Sequence, residues 1–119
     1  LKPDHAHALN ALGYSLADRN IRLDEANDLI TRAVALAPGD PFIMDSLGWV
    51  QFRQGKLAEA LKTLEKAYAI KADPEIAAHL GEVLWTLGRK EEAARLLSDA
   101  AKKNPDNDVL AAALKKFQP

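Results

Sequence analysis

Residues 44–61 read MDSLGWVQFRQGKLAEAL. Apolar residues fall at helical spacing as far as Phe52 and resume at Leu57, with Gly55 breaking the pattern between them. Gly48 lies inside the first run, and Ala60 stands in the second where a larger residue would fit. An interior glycine costs a helix about 1 kcal/mol relative to alanine, so it needs a compensating contact. Two antiparallel helices provide one, because they approach most closely where their facing side chains are smallest. The stretch therefore predicts a helical hairpin. Gly48 on the first helix and Ala60 and Ala67 on the second are its small residues, with Leu47, Val50, Leu57, Leu61 and Leu64 as fillers.

The hairpin recurs. Segments 5–40, 41–73 and 74–107 align, with Leu-Gly at Leu12-Gly13, Leu47-Gly48 and Leu80-Gly81. Glu-Ala follows at Glu25-Ala26, Glu59-Ala60 and Glu92-Ala93, and a later alanine at Ala33, Ala67 and Ala100. The units close on Asp40, Asp73 and Asp106, with Pro38, Pro74 and Pro105 nearby. These landmarks recur every 33 to 35 residues, a period that marks a repeat architecture. Gly55 and Gly88 separate the two helices of the later units. In the first unit the turn is Asn20-Ile21-Arg22, one residue longer, where asparagine can take the positive φ of glycine. Pro41 and Pro74 suit a first helical turn. Val, Ile and Thr never alternate at period two, so strands are not expected. A hairpin of this kind cannot cover its own apolar face, so units stack.

This pattern resembles the tetratricopeptide repeat, whose consensus runs W..LG..Y, then G, then A…F..A…P over about 34 residues. Leu-Gly and both alanines appear three times, and the closing proline is present as Pro38 and Pro105. Leu9, Met44 and Ala77 stand where the family often has Trp, and Leu16, Gln51 and Leu84 where Tyr is common. Ala72 replaces the closing proline of the second unit. The resemblance implies an all-α, right-handed α-solenoid of three helix-turn-helix repeats plus a C-terminal capping helix, in one domain. Residues 1–4, LKPD, match the end of a unit and are expected to close a preceding repeat. Repeats then span 5–40, 41–73 and 74–107, and 108–118 is the expected cap, with Lys115 and Lys116 on a polar outer side.

Composition narrows the function classes. Apolar residues make up 48% and charged residues 28%, a balance typical of globular domains. The net charge of −1 argues against nucleic acid as the main partner. The absence of cysteine excludes disulfides, thiol catalysis and cysteine-based zinc sites. No apolar run approaches the length of a membrane span, so direct insertion is not expected.

No catalytic constellation stands out, and the chain is read as a non-enzyme without cofactor or metal. His5 and His7, two apart, point to different helix faces, and His79 lies in another repeat. Gly13, Gly48, Gly55, Gly81 and Gly88 are dispersed at the repeat period and form no phosphate loop. Asp24-Glu25 and Glu91-Glu92 fall in first helical turns, where they complement the helix dipole. The packing residues are Gly13, Gly48 and Gly81 with Ala26, Ala60, Ala93, Ala33, Ala67 and Ala100.

In tetratricopeptide arrays the first helix of each unit lines the concave face. The resemblance therefore points to a partner-binding groove of His7, Asn10, Tyr14, Phe42, Asp45, Trp49, Arg53, Glu75, His79 and Glu82. Trp49 and Tyr14 are read as exposed anchors for a peptide, and Phe52 and Trp85 as fillers between adjacent repeats. Chaperone-binding members clamp a peptide carboxylate with a Lys/Asn/Arg cluster. Here the matching positions hold Asn10, Tyr14, Ser46, Glu75 and His79, so no clamp is expected, and a peptide of mixed apolar and basic character suits the groove better.

The stretch from ALNALGYSLADR through LAEAL also resembles the C-terminal repeats of long tetratricopeptide lipoproteins of Gram-negative bacteria. Some of these deliver substrates to a carboxyl-terminal processing protease. The expected function is an adaptor that binds a protein or peptide partner, at the periplasmic side of the outer membrane, with the cytoplasm as the alternative. A self-associating structural array, and an accessory domain of a larger protein whose active part lies elsewhere, are the competing readings.

Overall fold

The computed structural model describes residues 3–117. Seven helices follow one another: α1 (Pro3–Asp18), α2 (Leu23–Leu36), α3 (Pro41–Arg53), α4 (Leu57–Ile70), α5 (Pro74–Thr86), α6 (Lys90–Lys103) and α7 (Asp108–Lys116). No strand occurs among the described residues. α1 begins at Pro3, within the stretch read as the end of a preceding repeat, and Leu1 and Lys2 lie outside the described residues. The expected final position of the last helix, residue 118, lies outside the described residues.

Local chemistry sets the helix boundaries. Asp40 caps α3 by accepting from the Phe42 and Ile43 amides at 2.8 and 3.2 Å, with Pro41 in the first turn. Asp73 and Pro74 repeat the arrangement at α5, with amide contacts of 2.9 and 3.3 Å. At α7 the cap is Asn107, one residue beyond the aligned Asp106. Each inner turn closes in the same way. Gly55 has φ 83°, and the Lys56 amide reaches back to the Gln51 carbonyl at 2.9 Å, as in a Schellman ending. Gly88 repeats this at φ 87°. Asn20 takes the same role at φ 56°, and the longer first turn adds a second left-handed residue, Arg22 at φ 47°.

The second helices carry one buried stripe of identical form, small-large-small: Ala26-Ile30-Ala33, Ala60-Leu64-Ala67 and Ala93-Leu97-Ala100. The large residue of each stripe faces the glycine of its partner helix. A Cβ placed on Gly13 would fall 2.6 Å from Ile30 Cγ1, on Gly48 2.6 Å from Leu64 Cγ, and on Gly81 2.8 Å from Leu97 Cδ2. The glycines therefore let a branched side chain lie directly on the opposing backbone. Full burial of each such side chain contributes about 1.5–3 kcal/mol.

α1, α3, α5 and α7 form a continuous inner row in which each touches the next. α2, α4 and α6 each pack on the flanking inner helices, and their backbones stand apart from one another. The outer row is thus spread and the inner row closed up, which gives the array a concave face lined by the odd-numbered helices. α5, enclosed by α3, α4, α6 and α7, is buried on most of its circumference through Ile76, Ala77, Ala78, Leu80, Gly81, Val83 and Leu84.

Candidate functional site

The concave face carries a hydrogen-bonded line of side chains from three successive repeats. Asp45 on α3 accepts from His79 Nδ1 on α5 at 2.9 and 3.0 Å through its two oxygens. With the proton on Nδ1, the neutral ring presents Nε2 as an acceptor to the Tyr14 hydroxyl on α1, at a long 3.4 Å. Trp49 stacks on His79 with ring centroids 4.2 Å apart and on Phe52 at 5.0 Å. The Arg53 guanidinium lies 4.9 Å from the Trp49 ring centre and donates to the Asp18 carbonyl at 3.3 Å.

Burial pushes the Asp45 carboxyl above its ordinary value, and the bond from His79 opposes part of that rise. The Tyr14 phenol is pushed up to about 12, first by burial and then by the carboxylates of Asp18, Asp45 and Glu75, with Arg53 acting in the opposite sense. The negative potential of this part of the groove is therefore felt at the hydroxyl itself.

Two concavities open along the face. One, of 190 Å³, is lined by Asn10, Ala11, Tyr14, Phe42, Asp45, Ser46 and Glu75. The other, of 220 Å³, lies between α3, α5 and α7 and includes Trp49, His79, Glu82, Val109, Lys116 and Phe117. A larger hollow of 550 Å³ lies outside the groove, in the gap between α2 and α4, over Met44 and Leu47. Its polar groups, Lys62, Thr63, Glu65 and Lys66, all come from one helix and do not converge as those of the groove do.

The sequence-derived groove residues fall into three groups. Asn10, Tyr14, Phe42, Asp45, Trp49, Glu75, His79 and Glu82 line the two concavities. Arg53 stands beside them over Trp49. His7 lies apart at the start of the array, exposed, 4.0 Å from Asp40. The expectation that Trp49 projects freely as an anchor is corrected: it is 4% exposed, covered by His79, Phe52 and Arg53. Tyr14 is only partly exposed, and Phe42, at 44%, is the open aromatic of the groove. Phe52 and Trp85 pack between repeats, Trp85 also against Phe117. Sequence reasoning missed the contribution of α7, where Val109, Ala112 and Lys116 complete one wall. The signal was present in the apolar spacing of Val109, Ala112 and Ala113.

Three buried polar atoms, Asn10 Oδ1, Trp49 Nε1 and Arg53 Nε, have no hydrogen-bond partner among the described residues. Among those residues no three His, Asp or Glu side chains gather as a metal would require, and no helix is long and apolar enough to cross a membrane.

A tetratricopeptide repeat family model matches residues 51–116, and a second one matches residues 1–41. TPR repeat-containing protein PA4667 of Pseudomonas aeruginosa is 57% identical over 81 residues, covering 68% of this chain and 14% of that protein. The chain thus spans a small part of that relative's length. The first TPR domain of human RPAP3 superposes with a TM-score of 0.83 at 23% identity, over 98% of this chain and 91% of that one. The first TPR of Spaghetti (RPAP3), solved with the HSP90 peptide SRMEEVD, gives 0.81 at 22%, over 98% and 93%. TTC0263, a thermophilic TPR protein of Thermus thermophilus, gives 0.81 at 24%, over 95% and 66%. At these identities the structural likeness is one of fold, and the sequence match carries the kinship. The chain belongs to the tetratricopeptide repeat family.

Proposed function

We propose that the chain is a non-enzymatic interaction module that holds a segment of a partner protein in the groove of α1, α3, α5 and α7. One observation carries this: the Tyr14, His79 and Asp45 line ties the inner helices of all three repeats, so the groove's polar groups are fixed before any partner arrives. Preorganised groups lose less freedom on binding and so yield more affinity per contact. The Spaghetti domain, of the same fold and solved with an HSP90 peptide, supports a peptide segment as the partner. The peptide chemistry must differ, because Glu75 occupies a place where a carboxylate clamp requires a cation.

The test is site-specific crosslinking in an extract of the native organism. A photoreactive phenylalanine analogue replaces Phe42 in the groove or, as control, Lys62 on the outer face. A partner captured from position 42 and not from position 62 supports the reading. Capture only from position 62 refutes it, and crosslinks joining two copies of the chain through position 42 favour a self-assembling array. An adaptor role at the bacterial cell envelope, facing the periplasm, belongs to the same proposal. Fractionation of the parent protein with the cytoplasm would overturn that part.

A further inference from the structure

The 190 Å³ concavity between α1, α3 and α5 is built almost wholly of acceptors and aromatic rings. Asn10 contributes a buried carbonyl oxygen that no donor among the described residues satisfies. Glu75 contributes an exposed carboxylate with no ion-pair partner among the described residues, and Asp45 a carboxylate already oriented by His79. The Tyr14 and Phe42 rings wall the space, and no Lys or Arg lines it. Arg53, the cation that acts on Tyr14, is spread over Trp49 and bound to the Asp18 carbonyl. The Tyr14 phenol is pushed up first by its burial and then by these same neighbouring carboxylates, Asp18, Asp45 and Glu75.

We infer that this concavity is the specificity pocket of the groove and takes a basic side chain of the partner, arginine in first place. The inference rests on the groove reading above. A guanidinium offers donors in a planar fork, which suits Asn10 Oδ1 and the two carboxylates, and its flat face suits Tyr14 or Phe42. An acidic or C-terminal carboxylate would meet like charge at Glu75 and Asp45. The adjoining 220 Å³ concavity, with Val109, Ala112 and Phe117, supplies apolar surface for neighbouring residues of the same segment.

The test compares two blocked pentapeptides, acetyl-Ala-Leu-Arg-Leu-Ala-amide and its counterpart with citrulline, the neutral isostere, in place of arginine. Binding is followed through the amide chemical shifts of the isotopically labelled chain. The arginine peptide is expected to shift Asn10, Tyr14 and Glu75 saturably and to bind about tenfold more tightly than the citrulline peptide. The difference is expected to shrink as sodium chloride rises from about 0.05 to about 0.5 M. Glu75→Gln, which removes an exposed charge without touching the packing, is expected to weaken the arginine peptide about threefold and leave the citrulline peptide unchanged. Equal affinities, with shifts confined to the groove, would overturn the basic-side-chain pocket and leave the groove reading standing. Shifts on the outer helices alone, or none with either peptide, would overturn both.

Discussion

Gly48→Ala adds one methyl group where α3 meets Leu64 of α4. The added carbon would lie 2.6 Å from Leu64 Cγ and 2.8 Å from Cδ2, where ordinary carbon contacts begin at about 3.5 Å. The clash is with the branch point of Leu64, not with the tip of a flexible chain. Leu64 is fully buried within the cluster of Ala60, Leu80, Val83, Leu84 and Ala93, so it has nowhere to retreat. Overpacking of this kind costs about 1–3 kcal/mol. Alanine recovers about 1 kcal/mol of helix propensity. The expected net loss is about 1 kcal/mol, or roughly 3–6 °C in Tm, read by urea unfolding followed by circular dichroism. Two controls separate the causes. Gly39→Ala, exposed and with nothing within 4 Å of its added methyl, should gain about 0.4–1 kcal/mol from the unfolded state. Leu64→Ala alone should cost about 2–5 kcal/mol, but the double variant should cost less than the sum, because the new methyl occupies vacated space. A Gly48→Ala protein as stable as the parent, or strict additivity in the double variant, would refute the close-packing account.

Trp49→Ala should lower stability by about 3–5 kcal/mol, because the indole is buried under three neighbours; a loss below about 1 kcal/mol in denaturant titration would show the ring to be free. Arg22→Gly should raise stability by about 0.5–1 kcal/mol by relieving a left-handed residue at φ 47°, offset only by an exposed contact to Glu25 at 3.6 Å; a loss would show that the side chain contributes more than the strain removes. The Tyr14 phenol, pushed up to about 12 from 10.0, is bound to its proton more tightly in the folded state. Its contribution is therefore complete below pH 10.0 and lost as pH rises through about 12. Absorbance titration of the phenols should show a late step that Tyr14→Phe abolishes. Asp45 is also raised by burial, so its contribution is complete below its unfolded value and is lost as pH rises through the higher folded one. Asp45→Asn keeps an acceptor for His79 without the buried charge and should be nearly neutral at pH 7. Asp45→Ala, which strands the imidazole, should cost about 1–3 kcal/mol, and equal losses for the two variants would contradict this.

The hairpins were legible in the sequence because their determinants are local or periodic. The aspartate caps, the turn glycines and the small-large-small stripes recur at fixed offsets and need no knowledge of the third dimension. Asn20 could be read as a glycine substitute for the same reason. Arg22 could not, since nothing in an arginine announces a left-handed backbone; the extra residue in the first turn imposes it. Trp49 marks another boundary. Helical spacing places it on the inner side of α3, but whether that side meets solvent or α5 depends on how far successive repeats rotate, and the indole lies under His79. Tyr14, Asp45 and His79 were each readable as concave-face residues. Their union was not, because the bonds cross separations of 34 and 65 residues.

The inner row of helices is continuous, whereas the outer row has gaps. Such an object resembles a strip of fabric backed with separate slats: it flexes by changing the spaces between slats while the fabric keeps its length. Bending here alters the spaces between α2, α4 and α6, whose backbones stand apart. Stretching along the inner row, by contrast, would pull Asp45 from His79 and His79 from Tyr14. Curvature is the soft coordinate and contour length the stiff one. The rungs of the groove would thus keep their spacing as the curvature changes. A bound segment would be measured out against the same ruler whether the array is more open or more closed.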